Sequence, residues 1–503
     1  MLKKQGIVAL MIAVVLALSL AACGGGGGTG ATGSGDTGGV TAGTATVQGQ
    51  VSGTVFVAVD SDTNIETGRI TAAGTPKTFS LDVPTGKNYR FYLLENGDSG
   101  TGGRVYPIYM GASNVFGLDH GANGRIIDLG IVDPDVSTGH AFPTHDPMGI
   151  PGVTDHGENR SLPSSLAMAA YMAADLQGTW DFHGLATSGT IGWMHGILTV
   201  DNNGSGHMTS AIRNGVPWDA GDNVTFNVPP SGIVGMQGNG TFHGVLNGER
   251  EAMFANWTDN TGASSLVIFR KRQGTFAQSD LYGTWRFHRL TAGSDNVTSG
   301  WAFGTLSMAA PGTAAITAIQ TSGGGTAELG ASFPVSLDNN GILTVPGDDT
   351  FRGAMMPNKN MIVATATDET GKPELWMMVR AVNGVSYSGH DLMGDWMLNA
   401  VVSGNAGTMP WNFGHMAVDG TGQAVYQHMM GPGGTFTASP MAFAINSSGV
   451  ITANAGGMWG MGGGGMHHTV GQTLYGTMSP SKDLAIVTWS DGTGGHQFRI
   501  HVK

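Results

Sequence analysis

The segments DLQGTW (residues 175–180), DLYGTW (280–285) and DLMGDW (391–396) are one motif written three times, and their recurrence decides the fold. Each is followed by a second shared element, Trp-x-x-Gly: Trp193 to Gly196, Trp301 to Gly304, and Trp411 to Gly414. Each repeat then closes with a stretch that aligns without gaps: 241–271, 350–380 and 473–503. Within that stretch Gly244, Gly353 and Gly476 correspond. So do the turns that begin at Asp259, Asp368 and Asp491, and the basic residues Lys271, Arg380 and Lys503. Self-similarity of this kind marks repeated structural units.

The middle repeat shows what the unit is. Strand candidates begin near Thr284, Trp301, Ala314, Ser332, Ile342, Phe351, Met361 and Leu375, eight in all. Asp338-Asn-Asn-Gly341, Pro357-Asn-Lys-Asn360 and Asp368-Glu-Thr-Gly371 supply turn chemistry between several of them. The opening strand alternates as a half-buried strand should, with Trp285 and Phe287 on one face and Arg286 and His288 on the other. An eight-stranded meander removes its two open edges by closing on itself. The predicted class is therefore all-β, with three small eight-stranded barrels at 175–272, 280–382 and 391–503. One six-bladed propeller, two blades to a repeat, is the alternative.

The Gly-x-Trp on the first strand, with a basic residue on the last, resembles the lipocalin/calycin barrels. In that family the Trp closes one end of the barrel and a cation packs across its ring. The resemblance implies Trp180, Trp285 and Trp396 as end-closing residues, with Lys271, Arg380 and Lys503 above them. The repeats are short for that family and lack its later motifs, which argues against a deep ligand cavity.

Ahead of the repeats, residues 47–133 alternate as a small β-domain. Phe79, Leu81 and Val83 are followed by the turn Pro84-Thr85-Gly86 and the aromatic run Tyr89 to Leu93. The run FSLDVPTGKNYRFYLLE is similar to carboxypeptidase-regulatory-like β-sandwich modules. Asp60 and Asp62 lack the remaining oxygen ligands of a calcium loop. Residues 134–174 read as a Pro/His/Asp-rich linker ending in a short Ala/Met-rich helix over 166–174.

The amino terminus carries an address. Lys3 and Lys4 precede an apolar run from Ile7 to Leu20, too short for a membrane span but fitting a signal peptide over 1–22. Leu20-Ala21-Ala22-Cys23 resembles the lipobox of bacterial lipoproteins, which implies acylation of Cys23 after cleavage before it. Position 24 is Gly rather than Asp, which in that family points to the outer membrane. Residues 23–46 are a Gly/Thr-rich tether spanning about 25 Å. Cys23 is the single cysteine, so no intrachain disulfide contributes and stability comes from packing.

Charged residues make up only 12% of the chain and the formal charge is −13, which excludes a basic nucleic-acid surface. No Gly-x-Ser-x-Gly, His-Glu-x-x-His, Walker A or Cys-x-x-Cys motif occurs, so no enzyme is predicted. Comparing the repeats with one another points the same way. His183 and His288 give way to Asn399, and His243, Arg352 and Tyr475 share one position. Positions that drift so read as solvent-facing surface, while the recurring Gly, Trp and turn residues read as demands of the fold.

One stretch has unusual chemistry. Met458, Met461, Met466, His467 and His468 lie in a Gly-rich loop of the third repeat, with His428, Met429 and Met430 near a strand end. Thioether and imidazole together suit copper, and the loop looks like those of periplasmic copper-handling proteins. The plain alternative is composition, since the chain holds 27 Met. His140, His145, Asp146 and His156 form a weaker candidate in the linker. The expected function is thus a lipid-anchored envelope protein with a binding or scaffolding role. Its partners would be the membrane, through Cys23, and an envelope protein or polysaccharide. Copper binding and carriage of a small hydrophobic ligand are the alternatives.

Overall fold

The computed structural model describes residues 43–95, 104–163, 166, 170–218, 223–295, 297–326, 328–404, 409–438, 440–454, 474–490 and 494–503. The first of its two parts is a β-sandwich. One sheet orders the strands Thr78–Pro84, Thr44–Val51, Ile126–Asp135 and His140–Pro143. The other orders Val153–Asp155, Phe116–Leu118, Lys87–Leu94, Val55–Asp60 and Glu66–Thr71. Alternating apolar residues face inward between them, and Phe56 stacks on Phe79 with ring centroids 3.9 Å apart.

The sandwich runs past the boundary expected at residue 133. His140–Pro143 pairs with Ile126–Asp135, and Val153–Asp155 pairs with Phe116–Leu118. The Pro, Gly and Asp of this segment are turn residues between short edge strands, which sequence composition does not separate from a linker. Of the helix expected over 166–174, residues 167–169 lie outside the described residues, and Ala173–Leu176 is a 3₁₀ turn.

The three repeats are barrels. In barrel 1 the first strand, Gly178–Ala186, pairs with the second, Gly192–Val200, and with the last, Ser264–Lys271. The second also pairs with Ser205–Arg213, and the ring closes through Asn223–Asn227, Ile233–Met236, Asn239–Leu246 and Ala252–Thr258. Barrel 3 repeats this order from Gly394–Gly404 to Gly495–Val502. Barrel 2 closes through a broken strand. Ser332–Pro334 pairs with Thr313–Thr321, and its continuation Ser336–Leu337 pairs with Ile342–Val345. Each barrel wall thus has eight strands among the described residues, with the short Val216–Pro217 and Gly434–Phe436 paired outside the ring, and those of barrel 2 start within three residues of the predicted positions.

The repeated motif closes one end of each barrel. The Asp175, Asp280 and Asp391 carboxylates accept the backbone N–H groups of Met172, Ala277 and Ser388, each at 2.8 Å, and hold a single helical turn. Gly178, Gly283 and Gly394 then take φ of +134°, +131° and +117°, open to glycine at little cost. That places Trp180, Trp285 and Trp396 inside, each donating its indole N–H to the carbonyl four residues back, at 2.7, 2.7 and 2.8 Å. Lys271, Arg380 and Lys503 sit over these rings at 5.4, 4.3 and 4.8 Å. Each cation also donates to the carbonyl of the motif Asp.

The barrels form a closed ring. The first and second strands of barrel 1 pack on the seventh and eighth of barrel 2. Barrel 2 packs in the same way on barrel 3, and barrel 3 on barrel 1. Equivalent residues meet at each junction. Trp193, Trp301 and Trp411 donate to Thr367, Ser490 and Thr258 of the next barrel, at 2.7, 2.7 and 3.0 Å. These acceptors occupy one position of the gapless alignment. Two residues earlier, Thr365, Thr488 and Asn256 meet His183, His288 and Asn399.

This corrects the expectation that His183, His288 and Asn399 face solvent. All three are buried, with His288 and Asn399 at 0% exposure. They do point out of their own barrel, as alternation required, but the next barrel covers them. His243 and Tyr475 likewise stack on Phe413 and Phe303 of the preceding barrel, with centroids 5.1 Å apart in both cases. One apolar cluster runs through these junctions into the sandwich interior, joining Leu185, Val363, Phe498 and Met397 to Tyr106 and Leu93. Residues 42–503 are therefore one compact unit.

Candidate functional site

The barrel interiors differ where the exteriors agree. Position four after the end-closing Trp is Gly184 in barrel 1, Arg289 in barrel 2 and Ala400 in barrel 3. On the last strand, Ser265 and Val267 of barrel 1 correspond to Glu374 and Trp376 of barrel 2, and to Gln497 and Arg499 of barrel 3.

In barrel 2 these residues form a plug. Arg289 lies over Trp376 at 4.9 Å, 3.4 Å from the Glu374 carboxylate, and donates two hydrogen bonds to Glu328 at 2.9 and 2.6 Å. Trp376 donates its N–H to Glu374 at 2.9 Å. In barrel 3, Arg499 packs over Trp489 at 4.6 Å and donates to Gln497 at 2.9 Å. Beside Trp396 and His501, the described residues of barrel 3 enclose a space of about 20 Å³.

Barrel 1 keeps a Trp, Trp257, at the Trp489 position but lacks the Arg, Glu and Gln of these plugs, and its interior holds a cavity of about 410 Å³. Apolar residues such as Phe182, Met194, Phe226 and Val267 line it. Trp218 and Trp257, with centroids 6.2 Å apart, also face it. The Trp257 indole N–H is buried without an acceptor among the described residues. Arg213 and Asp259, 3.5 Å apart, add one charged pair to the lining. A cavity of this size with an apolar wall and few polar groups is the ordinary form of a small-molecule site. The expectation of no deep cavity thus fails for barrel 1. The signal was present in the gapless alignment, where Ser265 and Val267 stand opposite Glu374 and Trp376.

A second constellation lies between the sandwich and barrel 3. Glu95, Asp395 and His415 are all buried, with one ligating atom from each within 4.8 Å of the others. His415 Nε2 is 2.7 Å from Glu95 Oε1 and 3.8 Å from Asp395 Oδ1. Lys77 Nζ stands 3.5 Å from Asp395 Oδ2. Burial opposes charge on His415, but the Glu95 carboxylate outweighs it and lifts His415 to about 9. Burial, with the Glu95 charge beside it, pushes Asp395 up to about 6. Residues this far apart in sequence carry no shared local pattern, so the sequence analysis missed them.

The candidates read from sequence fare differently. Cys23, Met458, Met461, Met466, His467 and His468 lie outside the described residues. Met429 is buried in the barrel 3 interior. His140 stacks on Tyr109 at 4.1 Å, His145 stands 3.5 Å from Asp128, and Asp146 accepts the Met148 N–H. None of these joins a three-ligand cluster among the described residues. Asp60 pairs with Lys87 at 2.8 Å and accepts the N–H groups of Asp62 and Thr63 as a turn residue.

No family model and no curated relative matches the chain. Among solved structures, transferrin binding protein B from Haemophilus parasuis Hp5, as a double mutant, aligns at 11% identity over 65% of this chain and 74% of that chain, with TM-score 0.23. Isotype 1 transferrin binding protein B from serogroup B Neisseria meningitidis aligns at 10% identity over 64% and 75%, with TM-score 0.21. HpuA from Kingella denitrificans, in complex with human haemoglobin, aligns at 12% identity over 44% and 87%, with TM-score 0.21. TM-scores of this size carry no argument, and the all-β barrel fold stands on the strand pairings themselves.

Proposed function

We propose that this chain is a lipid-anchored protein of the outer membrane that binds rather than catalyses, and that barrel 1 takes a small apolar ligand. One observation carries the reading. The three barrels share their closing motif and their junctions, yet barrel 1 has Gly184, Ser265 and Val267 where barrel 2 carries Arg289, Glu374 and Trp376, and where barrel 3 carries Gln497 and Arg499 on the last strand. Barrels 2 and 3, with the sandwich, then serve as the frame that holds barrel 1 and presents it at the end of the tether. The unpartnered Trp257 N–H favours a ligand with one acceptor, such as a carbonyl or carboxylate, on an apolar body.

Titration of the full chain with 1-anilinonaphthalene-8-sulfonate and with a medium-chain fatty acid tests this. Wild type should bind one equivalent of each. Val267→Trp, which imports the barrel 2 residue, should abolish binding while leaving the thermal midpoint within a few degrees. Trp257→Phe keeps the ring and should weaken the fatty acid more than its hydrocarbon analogue. Equal binding by Val267→Trp, or none by wild type, would overturn the assignment. The anchor rests on the lipobox and is tested separately, by metabolic palmitate labelling lost in Cys23→Ser.

A further inference from the structure

We propose that Glu95, Asp395 and His415 form a site for a divalent transition-metal ion of the zinc type, pinning the sandwich to barrel 3. The donor set is right for such an ion: one imidazole and two carboxylates, with ligand bonds of about 2.0–2.2 Å. Donors around one ion then stand about 3–4 Å apart. The 3.8 Å from His415 Nε2 to Asp395 Oδ1 falls within that spacing, while the 2.7 Å to Glu95 Oε1 is a direct hydrogen-bond contact that would open as an ion enters.

The surrounding groups orient the donors as ligands. Gln427 Oε1 lies 2.9 Å from His415 Nδ1, so Nδ1 carries the proton and Nε2 is left for the ion. The Tyr106 hydroxyl donates to Glu95 Oε2 at 3.4 Å, leaving Oε1 as a single ligand atom. His415 sits on the second strand of barrel 3 and Asp395 on the first, so their spacing is set by sheet pairing. Glu95 comes from the sandwich, at the end of strand Lys87–Leu94.

Charge fits as well. Without an ion, the Glu95 and Asp395 carboxylates face His415 and the Lys77 ammonium. A divalent ion would neutralise the two buried carboxylates, and the Lys77 side chain, 34% exposed beside Asp395, donates to the Ser52 carbonyl at 3.1 Å. Lys77 and Gln427, the neighbours of Asp395 and His415, both line a surface groove of about 790 Å³.

The test uses the full chain after chelator treatment, titrated with Zn²⁺ by calorimetry and with Co²⁺ by visible absorption. One equivalent should bind in wild type, with a ligand-field spectrum that reports imidazole and carboxylate donors. His415→Gln and Glu95→Gln should each abolish that equivalent, and Gln427→Leu should weaken it about 10–100-fold. Glu95→Gln is nearly isosteric, so it keeps the test valid if His415→Gln fails to fold. Met458/Met461/Met466/His467/His468→Ala should leave the equivalent intact, separating it from any ion held by the loop. Absence of binding in wild type, or binding unchanged in Glu95→Gln and Gln427→Leu, would overturn the proposal and leave an ion-pair latch alone.

Discussion

The indole N–H of Trp193 in barrel 1 reaches the hydroxyl of Thr367 in barrel 2 at 2.7 Å, and the same bond recurs between the other two pairs of barrels. It explains the Trp-x-x-Gly motif. The Trp belongs to the neighbouring barrel's surface as much as to its own strand, and its N–H is satisfied only across the junction.

Removing the acceptor leaves that donor buried and unpaired. Thr367→Val should cost about 1–3 kcal/mol, the penalty of an orphaned buried donor. Ser490→Ala should cost a similar amount at the next junction. Urea unfolding of the full chain measures both. A change below a few tenths of a kcal/mol would show that water replaces the lost partner.

The ring also fixes how the protein melts. Each barrel buries two faces, one against each neighbour, so no barrel is a detachable module. Calorimetry should show barrels and sandwich unfolding in one cooperative transition. Deletion of 280–382 would bare the outer faces of barrels 1 and 3, and should yield aggregated or dye-binding protein. Three separate transitions would contradict a closed ring.

Gly304 is a stricter position than its exposed relatives in turns. A Cβ there would collide with the Ala318 carbonyl oxygen and the Phe287 ring, neither of which has room to retreat. Gly304→Ala should destabilise by about 1–3 kcal/mol through overpacking. Gly347→Ala, with nothing within 4 Å but a φ of +90°, tests backbone strain alone and should cost about 1–2 kcal/mol.

Acid should loosen the junctions. Burial holds His288 down to about 3, and His195 and His243 down to about 4. These groups are neutral in the folded chain and free to protonate in the unfolded one. Their contribution is therefore complete above about pH 6.5 and declines as pH falls toward those values. For His288 the loss should approach about 1.4 kcal/mol per pH unit. His288→Gln should flatten the fall in thermal midpoint between pH 6 and 4, roughly the window set by these shifts. An unchanged slope would place the sensitivity elsewhere.

Much was legible before any coordinates. Gly-x-Trp with a distant cation fixed the closed end of each barrel, because glycine enters that backbone turn cheaply and a cation is attracted to the face of the indole ring. The strand starts in repeat 2 followed from turn chemistry, which is local. The cavity was not foreseen, although Val267 opposite Trp376 in the repeat alignment carried its trace. The segment 134–155 was misread because short edge strands share the composition of a linker.

What the chain alone determined is which way each side chain faces relative to its own barrel, since strand alternation is a two-residue property. It could not say what lies beyond the barrel wall. His183 and His288 pointed outward in either case, and only the closing of three barrels into a ring turned that outward face into a buried interface. Glu95, Asp395 and His415 belong to the same lesson. Their meeting depends on where the sandwich seats against barrel 3, a contact between elements some 300 residues apart that no local spacing encodes.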